Sequence, residues 1–283
     1  MKDKCVILEG GGLRCSFTAG ILDFLLEHNY NFERVIGVSA GACAGASFIS
    51  KQPWRNYVVN VVHPSHKQYM GMRHFFKKRN YFNMDFIFGD IPEWIYPFDT
   101  ETFMKNPTQF DIAATSLEDG SLKIIGKEEI KEFGILNCLQ ASSSIPLIST
   151  PVPLGNKIYY DGGVADSIPV NYALSKHKKA FLILTQPRGY RKKAPKFPGF
   201  IRFVFRKHRA FAEALISRSV VYNATLELCD KLEAEGKLFI LAPKAGSKIK
   251  RIEKDIVVRD MTYRRGYSLM QKEFDNLKKF LGK

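Results

Sequence analysis

The sequence predicts an α/β fold, and three observations lead to this prediction. The chain has 283 residues, 45% of them hydrophobic and 25% charged, which is enough to bury a substantial core in one large domain. Two strand patterns near the start, at 5–8 and 34–38, are each followed by a glycine-containing turn and a helical pattern. Further apolar strand patterns recur as far as residue 241 with helical segments between them, as in α/β proteins.

The first strand pattern leads directly into a glycine run. Gly10, Gly11 and Gly12 follow it, and the next helical pattern begins at Ser16, which we expect to cap that helix. Free backbone N–H groups in such a loop favour an anion. The dinucleotide fingerprint requires glycine where this chain has Cys15, and no P-loop lysine follows, so we interpret the loop as an oxyanion hole.

The second strand pattern ends in Gly37-Val38-Ser39-Ala40-Gly41, a G-x-S-x-G motif. Where a strand turns sharply into a helix at this motif, it forms a nucleophile elbow. The serine hydroxyl then projects from the end of the sheet, beside the free N–H groups of the helix start. An incidental serine in a glycine-lined turn would give the same pattern. The strand before the motif and the small-residue helix after it favour a nucleophilic role for Ser39.

The second half of the chain contains one further candidate group. We predict strands at 109–116, 121–126, 157–164, 179–185 and 238–241, and helices at 128–139, 210–235 and 261–281. Within the pattern at 157–164, the strand stops at a turn that consists of Asp161, Gly162 and Gly163. Ligands bind at the edge of an open α/β sheet where its strands end, so Asp161 is expected to reach Ser39. The alternative is a simple turn carboxylate, because Asp-Gly is a common turn dipeptide.

Two basic segments interrupt these patterns. Residues 34–84 contain no acidic side chain, and we predict a helical cap insertion at about 52–98 in which cations alternate with aromatic residues. Residues 187–212 also lack acidic side chains, carry nine Lys or Arg, and are expected to begin as a loop. One interpretation is an ordinary core with a solvated basic face. The other is a mobile cap whose aromatics and cations dock on a lipid surface.

Composition limits the compartment and the partners. The five cysteines are scattered and odd in number, so we expect a reduced, cytosolic protein without disulfides. Neither a signal peptide nor a transmembrane segment is predicted. No His, Cys or carboxylate cluster has metal-ligand spacing, so we expect no metal and no other cofactor. The formal charge of +15 favours peripheral contact with an anionic membrane, and the interleaved aromatics make nucleic acid a less favoured partner.

Four motifs taken in order resemble those of the patatin-like phospholipases, in particular their compact bacterial branch. They are Gly10-Gly-Gly-Leu-Arg14, Gly37-Val-Ser-Ala-Gly41, Ala141-Ser-Ser-Ser-Ile-Pro146 and Asp161-Gly-Gly163. Ser144 stands where the family often has alanine. The resemblance implies a three-layer α/β/α fold with a mostly parallel sheet. Residues 1–186 would form the catalytic domain, and 187–283 would form a basic loop and a helical extension packed on it.

The resemblance also implies a chemistry. Ser39 would be the nucleophile and Asp161 its base, a dyad that needs no histidine. The amides of Gly10, Gly11, Gly12 and Ala40 would form the oxyanion hole. Arg14 would hold the glycine loop or steer an anionic head group. Supporting positions would be Gly37, Gly41, Gly162 and Gly163.

The expected activity is hydrolysis of carboxylic esters in phospholipids or related lipids, as by a phospholipase A. Several alternatives remain open. A Ser-Asp-His triad could use His177 or His208, which follow the serine in the chain. A thioesterase or an acyltransferase would share the same serine chemistry. A non-catalytic protein could bind anionic lipid or nucleic acid through its basic surface alone. The sequence indicates no oligomeric state.

Overall fold

An eight-stranded mixed sheet with helices on both faces organises the fold. The computed structural model describes residues 4–247 and 249–282. The strands are β1 (Cys5–Leu8), β2 (Arg34–Val38), β3 (Gln109–Ser116), β4 (Leu122–Ile125), β5 (Val152–Leu154), β6 (Lys157–Asp161), β7 (Ala180–Ile183) and β8 (Leu238–Leu241). The helices are α1 (Ser16–Glu27), α2 (Ala40–Ile49), α3 (Arg55–Tyr57), α4 (Met72–Lys78), α5 (Thr100–Lys105), α6 (Lys127–Phe133), α7 (Ile135–Ser143), α8 (Val170–Lys176), α9 (Pro198–Val204), α10 (Arg209–Ala234) and α11 (Ile256–Leu281).

The sheet confirms the predicted fold class. Its strands β3, β2, β1, β7 and β8 lie side by side in that order and run parallel. The short strands β4, β5 and β6 pair antiparallel at the β3 end. Alternate residues of β1 enter two separate cores: Val6 and Leu8 pack with α1, α2, α7 and α11, while Cys5 and Ile7 pack with α8 and α10. Because both faces are covered, the central strands are apolar throughout.

The register of β3 brings two distant parts of the chain together. Ala113 pairs with Val38 at the end of β2, and Ala114 pairs with Asp161 at the end of β6. Both alanines also pair with β4, so β4 occupies one edge of β3. The strands β2 and β6 therefore share the other edge and meet end to end. Ser39, the residue after Val38, faces Asp161 as a result.

Several local predictions were wrong, and each has a physical reason. The helix expected at 128–139 is two helices, because Gly134 adopts φ +81° between α6 and α7. The last helix begins five residues before Met261, where the Asp255 side chain accepts a hydrogen bond from the Val257 amide. Ser16 lies inside α1 and donates instead to the Leu13 carbonyl, because a 3-10 turn precedes the helix.

The basic loop after residue 187 contains a helix that we did not predict. It is α9, which begins at Pro198, a residue whose fixed φ suits the first turn of a helix. Ile201 of α9 is buried, whereas Phe197, Phe200 and Phe203 are exposed. Three aromatic side chains of this segment therefore lie on the surface, whereas Phe205 and Phe211 are buried.

Segment 52–98 consists of short helical turns between α2 and α5. It includes the π-helical segments Val58–Val62 and Phe86–Ile95 and a β-bridge between Met70 and Phe82. Arg259 of α11 is fully buried and donates to the Val61 carbonyl at 3.1 Å and to the Glu253 carbonyl at 2.7 Å. This arginine ties the insertion to the C-terminal helix.

In the described part of the chain, no helix combines the length and apolarity that crossing a bilayer requires.

Candidate active site

Ser39 occupies a strained turn between β2 and α2. Its backbone has φ +55° and ψ −129°, a conformation that non-glycine residues rarely adopt. The flanking glycines make the turn possible by close packing. A Cβ atom on Gly37 would lie 2.4 Å from Ala42 Cα, and one on Gly41 would lie 2.5 Å from the Leu8 carbonyl oxygen. Both glycines of the G-x-S-x-G motif are therefore required for steric reasons.

The Ser39 hydroxyl donates a hydrogen bond to Asp161 Oδ2 at 2.6 Å. The other carboxylate oxygen, Oδ1, accepts from the Gly163 amide at 2.8 Å. Both residues are buried, each with 6% of its surface exposed. The amide fixes the carboxylate so that its second oxygen points at the serine.

The third sequence motif supports both members of this pair. Ser142 Oγ accepts from the Ser39 amide at 2.8 Å and donates to the Ala113 carbonyl at 2.6 Å. The Ser144 carbonyl accepts from the Asp161 amide at 2.8 Å. Since Ser144 acts here through its backbone, its departure from the family's alanine leaves this contact intact.

The glycine loop lies against the serine. A Cβ on Gly10 would lie 3.0 Å from Ser39 Cβ, and Gly12 has φ +57°. Within the described residues, the amides of Gly10, Gly11, Gly12 and Ala40 donate to no other protein group. These N–H groups are consequently available to a ligand.

Glu9, just before the loop, was not singled out by the sequence. It is buried and accepts three hydrogen bonds, from the Thr185 amide at 2.6 Å, the Thr185 hydroxyl at 3.0 Å and the Tyr222 hydroxyl at 2.7 Å. Burial and the Glu9 carboxylate raise the pKa of Tyr222 above its usual range. Glu9 therefore fixes the start of the glycine loop to the end of β7 and to α10.

Two pockets of opposite character meet at Ser39. The first, of about 30 Å³, is polar and lies on the Asp161 side, where it includes Gly10, Gly11, Gly12, Arg14, Gly163 and Tyr222. The second, of about 80 Å³, is mostly apolar and includes Leu13, Val59, Tyr69, Phe82, Met84 and Phe88. Most of the apolar lining comes from segment 52–98. A molecule whose reacting atom sits at Ser39 can extend into both.

Four basic side chains line the polar pocket: Arg14, Lys192, Arg218 and Arg251. Burial, followed by repulsion from Arg218, lowers the pKa of Lys192 to about 6. Burial and the nearby Arg218 and Arg14 guanidinium groups lower the pKa of Arg251. The guanidinium groups of Arg14, Arg218 and Arg251 therefore make the pocket electropositive around two carboxylates, Glu9 and Asp161.

Comparisons with known proteins identify the family of the chain. A family model described as patatin-like phospholipase matches residues 6–174, more than half of the chain. The chain belongs to the patatin-like phospholipase family. A second model, a domain of unknown function (DUF6363), matches residues 208–282.

Relatives of this patatin-like chain include two curated proteins. It is 27% identical over 191 residues to the uncharacterized protein YjjU of Escherichia coli K12, covering 63% of this chain and 50% of YjjU. It is 26% identical over 194 residues to the probable lipid hydrolase 463L of Invertebrate iridescent virus 6, covering 62% of this chain and 65% of 463L. The chain thus matches only about half to two thirds of the length of these relatives.

A solved structure also shares the fold. The crystal structure of VipD from Legionella pneumophila superposes with a TM-score of 0.54 at 11% identity, covering 98% of this chain and 67% of VipD. At this identity the likeness concerns the fold alone.

The patatin-like motifs identified in the sequence converge at one site, whereas the histidines lie elsewhere. Ser39, Asp161, the glycine loop and Arg14 share the polar pocket, and Ala40 lines the apolar one. Neither His177 nor His208 lines either pocket. Among the described residues, no group of three His, Cys, Asp or Glu side chains has a geometry that could hold a metal ion.

Proposed function

We propose that this protein is a serine acyl hydrolase that cleaves carboxylic esters of phospholipids or related lipids, an activity of the phospholipase A type. The observation that carries the proposal is the 2.6 Å hydrogen bond from Ser39 Oγ to Asp161 Oδ2, between two buried side chains at the border of a polar and an apolar pocket. Family membership and the description of 463L as a probable lipid hydrolase support the same class of reaction.

In the proposed reaction, Asp161 Oδ2 takes the proton of Ser39 Oγ while that oxygen attacks the acyl carbonyl carbon. The carbonyl oxygen becomes an oxyanion that accepts hydrogen bonds from the amides of the glycine loop and Ala40. The C–O bond to the alcohol then breaks, and the leaving alcohol takes the proton from Asp161. A water molecule attacks the acyl-enzyme, gives a proton to Asp161, and the carboxylic acid leaves as Ser39 regains its hydrogen.

An aspartate is a weak base for a serine hydroxyl, so this reaction depends on how Asp161 and Ser39 are positioned relative to each other. The Gly163 amide holds Asp161 Oδ1, which keeps Oδ2 toward Ser39 before substrate binds. The Ser142 hydroxyl holds the Ser39 amide, so the nucleophile is fixed from its backbone. Two pre-positioned groups reduce the reorganisation that the reaction requires.

The apolar pocket supports the proposal that the cleaved ester carries the acyl chain of a lipid. Its lining from segment 52–98 includes Phe82, Met84 and Phe88, which offer no charge to a substrate. We propose that segment 52–98 acts as a cap over the acyl chain. The alkyl chain then leaves water as the ester reaches Ser39, which favours binding of lipid esters over small polar ones.

We further propose that the protein docks on an anionic membrane next to this site. A shallow groove of about 490 Å³ includes Phe75, Phe76, Arg79, Leu147 and Val204 in its lining, and we name these five residues the aromatic groove. Phe76 is 78% exposed, and Phe203, which directly precedes Val204 in the chain, is 66% exposed. Ile145 and Pro146, directly before Leu147, line the polar pocket. Exposed aromatics beside cations insert at a lipid interface, so docking here would bring lipid to the pockets.

Membrane docking is expected to depend on these aromatics and on lipid charge. Co-sedimentation with phosphatidylglycerol vesicles should exceed that with phosphatidylcholine vesicles and should weaken as salt is raised. Replacing Phe76 and Phe203 by serine should reduce binding severalfold, because less apolar surface inserts. Val220→Ser is the matched control, since Val220 is 69% exposed on α10 outside the aromatic groove. Vesicle binding that changes neither with lipid charge, nor with salt, nor with replacement of both phenylalanines would contradict the docking proposal.

The proposed nucleophile can be identified by covalent labelling. A fluorophosphonate probe should lose fluoride to the Ser39 hydroxyl and leave an adduct that peptide mass spectrometry assigns to Ser39. Ser39→Ala protein should stay unlabelled. Ser47→Ala should label like the wild type, because Ser47 donates to the Cys43 carbonyl and lines neither pocket. Absence of an adduct in the wild type, or an adduct on another residue, would count against the proposed function and favour a non-catalytic lipid binder.

A further inference from the structure

The polar pocket receives most of its charge from outside the part of the chain that matches the patatin-like model. Arg14 is the only one of its four basic residues within 6–174. Lys192 lies in the basic loop, Arg218 lies on α10, and Arg251 lies in the segment before α11. Arg218 and Arg251 belong to the region matched by the domain of unknown function. The C-terminal region therefore forms one wall of the site that contains Ser39.

The basic residues of the pocket face the proposed catalytic pair, and none of them forms a salt bridge within the described part of the chain. The Arg218 Nη2 atom lies 2.8 Å from where a Cβ on Gly163 would stand, directly beside Asp161. Among residues 4–247 and 249–282, none of the four forms an ion pair with a carboxylate. Arg14 Nε and Arg218 Nε are buried and make no hydrogen bond to the described protein atoms. Buried guanidinium nitrogens without a partner are costly, and a bound anion would satisfy them.

The two carboxylates of the pocket are already engaged. Glu9 accepts from Thr185 and Tyr222, and Asp161 accepts from Ser39 and Gly163. Neither is paired with the cations. A bound anion could therefore balance the positive charge that these two carboxylates leave on the arginines.

The protein holds this cationic wall in place. Asn223 of α10 makes two hydrogen bonds to the Lys192 backbone, accepting from its amide at 2.8 Å and donating to its carbonyl at 3.0 Å. Lys192 Nζ lies 3.7 Å from the centre of the Tyr222 ring. The Arg251 carbonyl accepts from the Leu13 amide at 3.0 Å, which joins the C-terminal segment to the glycine loop. A wall fixed in advance binds an anion at a lower entropic cost.

We propose that the C-terminal region completes the active site as a phosphate subsite, which selects lipids whose phosphate carries no cationic substituent. This inference rests on the proposed ester hydrolysis at Ser39. The scissile ester would lie between the pockets, with the acyl chain in the apolar one and the phosphate among Arg14, Arg218 and Arg251. A choline or ethanolamine group on the phosphate would bring another cation into an electropositive pocket, so anionic head groups are favoured.

The first test measures anion binding without catalysis. Calorimetric titration of Ser39→Ala protein with inorganic phosphate should show binding, and adding Arg218→Gln should weaken it about ten- to hundredfold, the usual effect of removing a hydrogen bond to a charged group. Lys231→Gln is the matched control, since it removes one charge from an exposed position on α10 outside the pocket. Equal phosphate binding in the Arg218 and Lys231 variants would overturn the proposal. Cooperative melting of each variant would confirm that it is folded.

The second test separates a lipid head group from free phosphate. Dihexanoyl phosphatidic acid and dihexanoyl phosphatidylcholine are used below their micellar concentrations, so that attraction to a surface plays no part. The wild type should have a higher kcat/KM on the phosphatidic acid. In Arg218→Gln the ratio of the two values should fall about tenfold, and in Lys231→Gln it should stay as in the wild type. A wild type that binds phosphate yet does not prefer the anionic lipid would overturn the head-group assignment.

Failure of the proposed function would give a different experimental result from failure of the phosphate subsite. If the wild type hydrolyses neither lipid nor p-nitrophenyl butyrate, ester hydrolysis at Ser39 is wrong, and with it the selection of lipid substrates. The calorimetric comparison would still decide whether Arg218 forms an anion site.

Discussion

Asp161→Asn is expected to reduce kcat for p-nitrophenyl butyrate on the order of 10⁴-fold, and Ser39→Ala by at least as much. Asparagine keeps the size of the side chain but takes no proton from the serine. Among the described residues, Asp161 is the base that Ser39 Oγ contacts, and no histidine lines either pocket. A short-chain neutral ester is the proper substrate here, because its hydrolysis reports the dyad without head-group or membrane effects.

Asp166→Asn is the matched control for this change. Asp166 is five residues further along, its Oδ1 accepts from the Ile168 amide at 2.9 Å, and burial raises its pKa. It lines neither pocket, so its variant should keep kcat near the wild-type value. If Asp161→Asn retained a tenth of the wild-type rate while melting normally, Asp161 would not be the base, and a triad with His177 or His208 would need to be reconsidered.

Much of this site could be predicted because three of the four motifs lie at the end of a strand. Ser39 follows β2, Asp161 ends β6, and the glycine loop follows β1. In parallel sheets such ends share one edge, so sequence order alone made their meeting plausible. The register of β3 was not predictable, because β5 is only three residues long and β6 pairs antiparallel on the edge that β2 also uses.

The cationic wall, which Lys192, Arg218 and Arg251 form, could not be predicted from the sequence for a different reason. Lys192 was visible only as one of nine cations in a basic segment, and Arg218 and Arg251 belong to no motif. Their proximity follows from tertiary packing of α10 and of the segment before α11, not from local spacing. No local sequence pattern connects Arg14 with Arg218 or Arg251, which lie more than two hundred residues further along the chain. The same holds for Glu9, whose role depends on its contacts with Thr185 and Tyr222.

Gly266→Ala is expected to lower the free energy of unfolding by about 3 kcal/mol or more, which corresponds to a fall in Tm of roughly 6–12 °C. The helices α1 and α11 cross with their backbones in contact. A Cβ on Gly266 would lie 2.1 Å from the Phe17 carbonyl oxygen, and one on Gly20 would lie 2.0 Å from the Tyr263 carbonyl oxygen. Backbone atoms of two packed helices cannot move aside as a flexible side chain can, so the helices must separate.

Gly199→Ala is the matched control, because it makes the same change in a helix where an added Cβ meets nothing within 4 Å. Alanine favours helix over glycine by about 1 kcal/mol, so this variant should be neutral or slightly more stable. Urea unfolding followed by circular dichroism would measure both. A Gly266→Ala protein as stable as Gly199→Ala would mean that the helices do not cross this closely.

The helix crossing also connects stability to the proposed phosphate subsite. The helix α11 carries Arg259, which holds the 52–98 insertion at Val61, and it follows the segment that supplies Arg251. If Gly266→Ala displaces α11, both contacts loosen while Ser39 and Asp161, which are held by β2, β3 and β6, stay paired. Below its melting temperature, the Gly266→Ala protein should therefore retain most of its hydrolysis of p-nitrophenyl butyrate. Its preference for dihexanoyl phosphatidic acid over dihexanoyl phosphatidylcholine should fall more. Parallel loss of both would indicate that α11 supports the dyad itself.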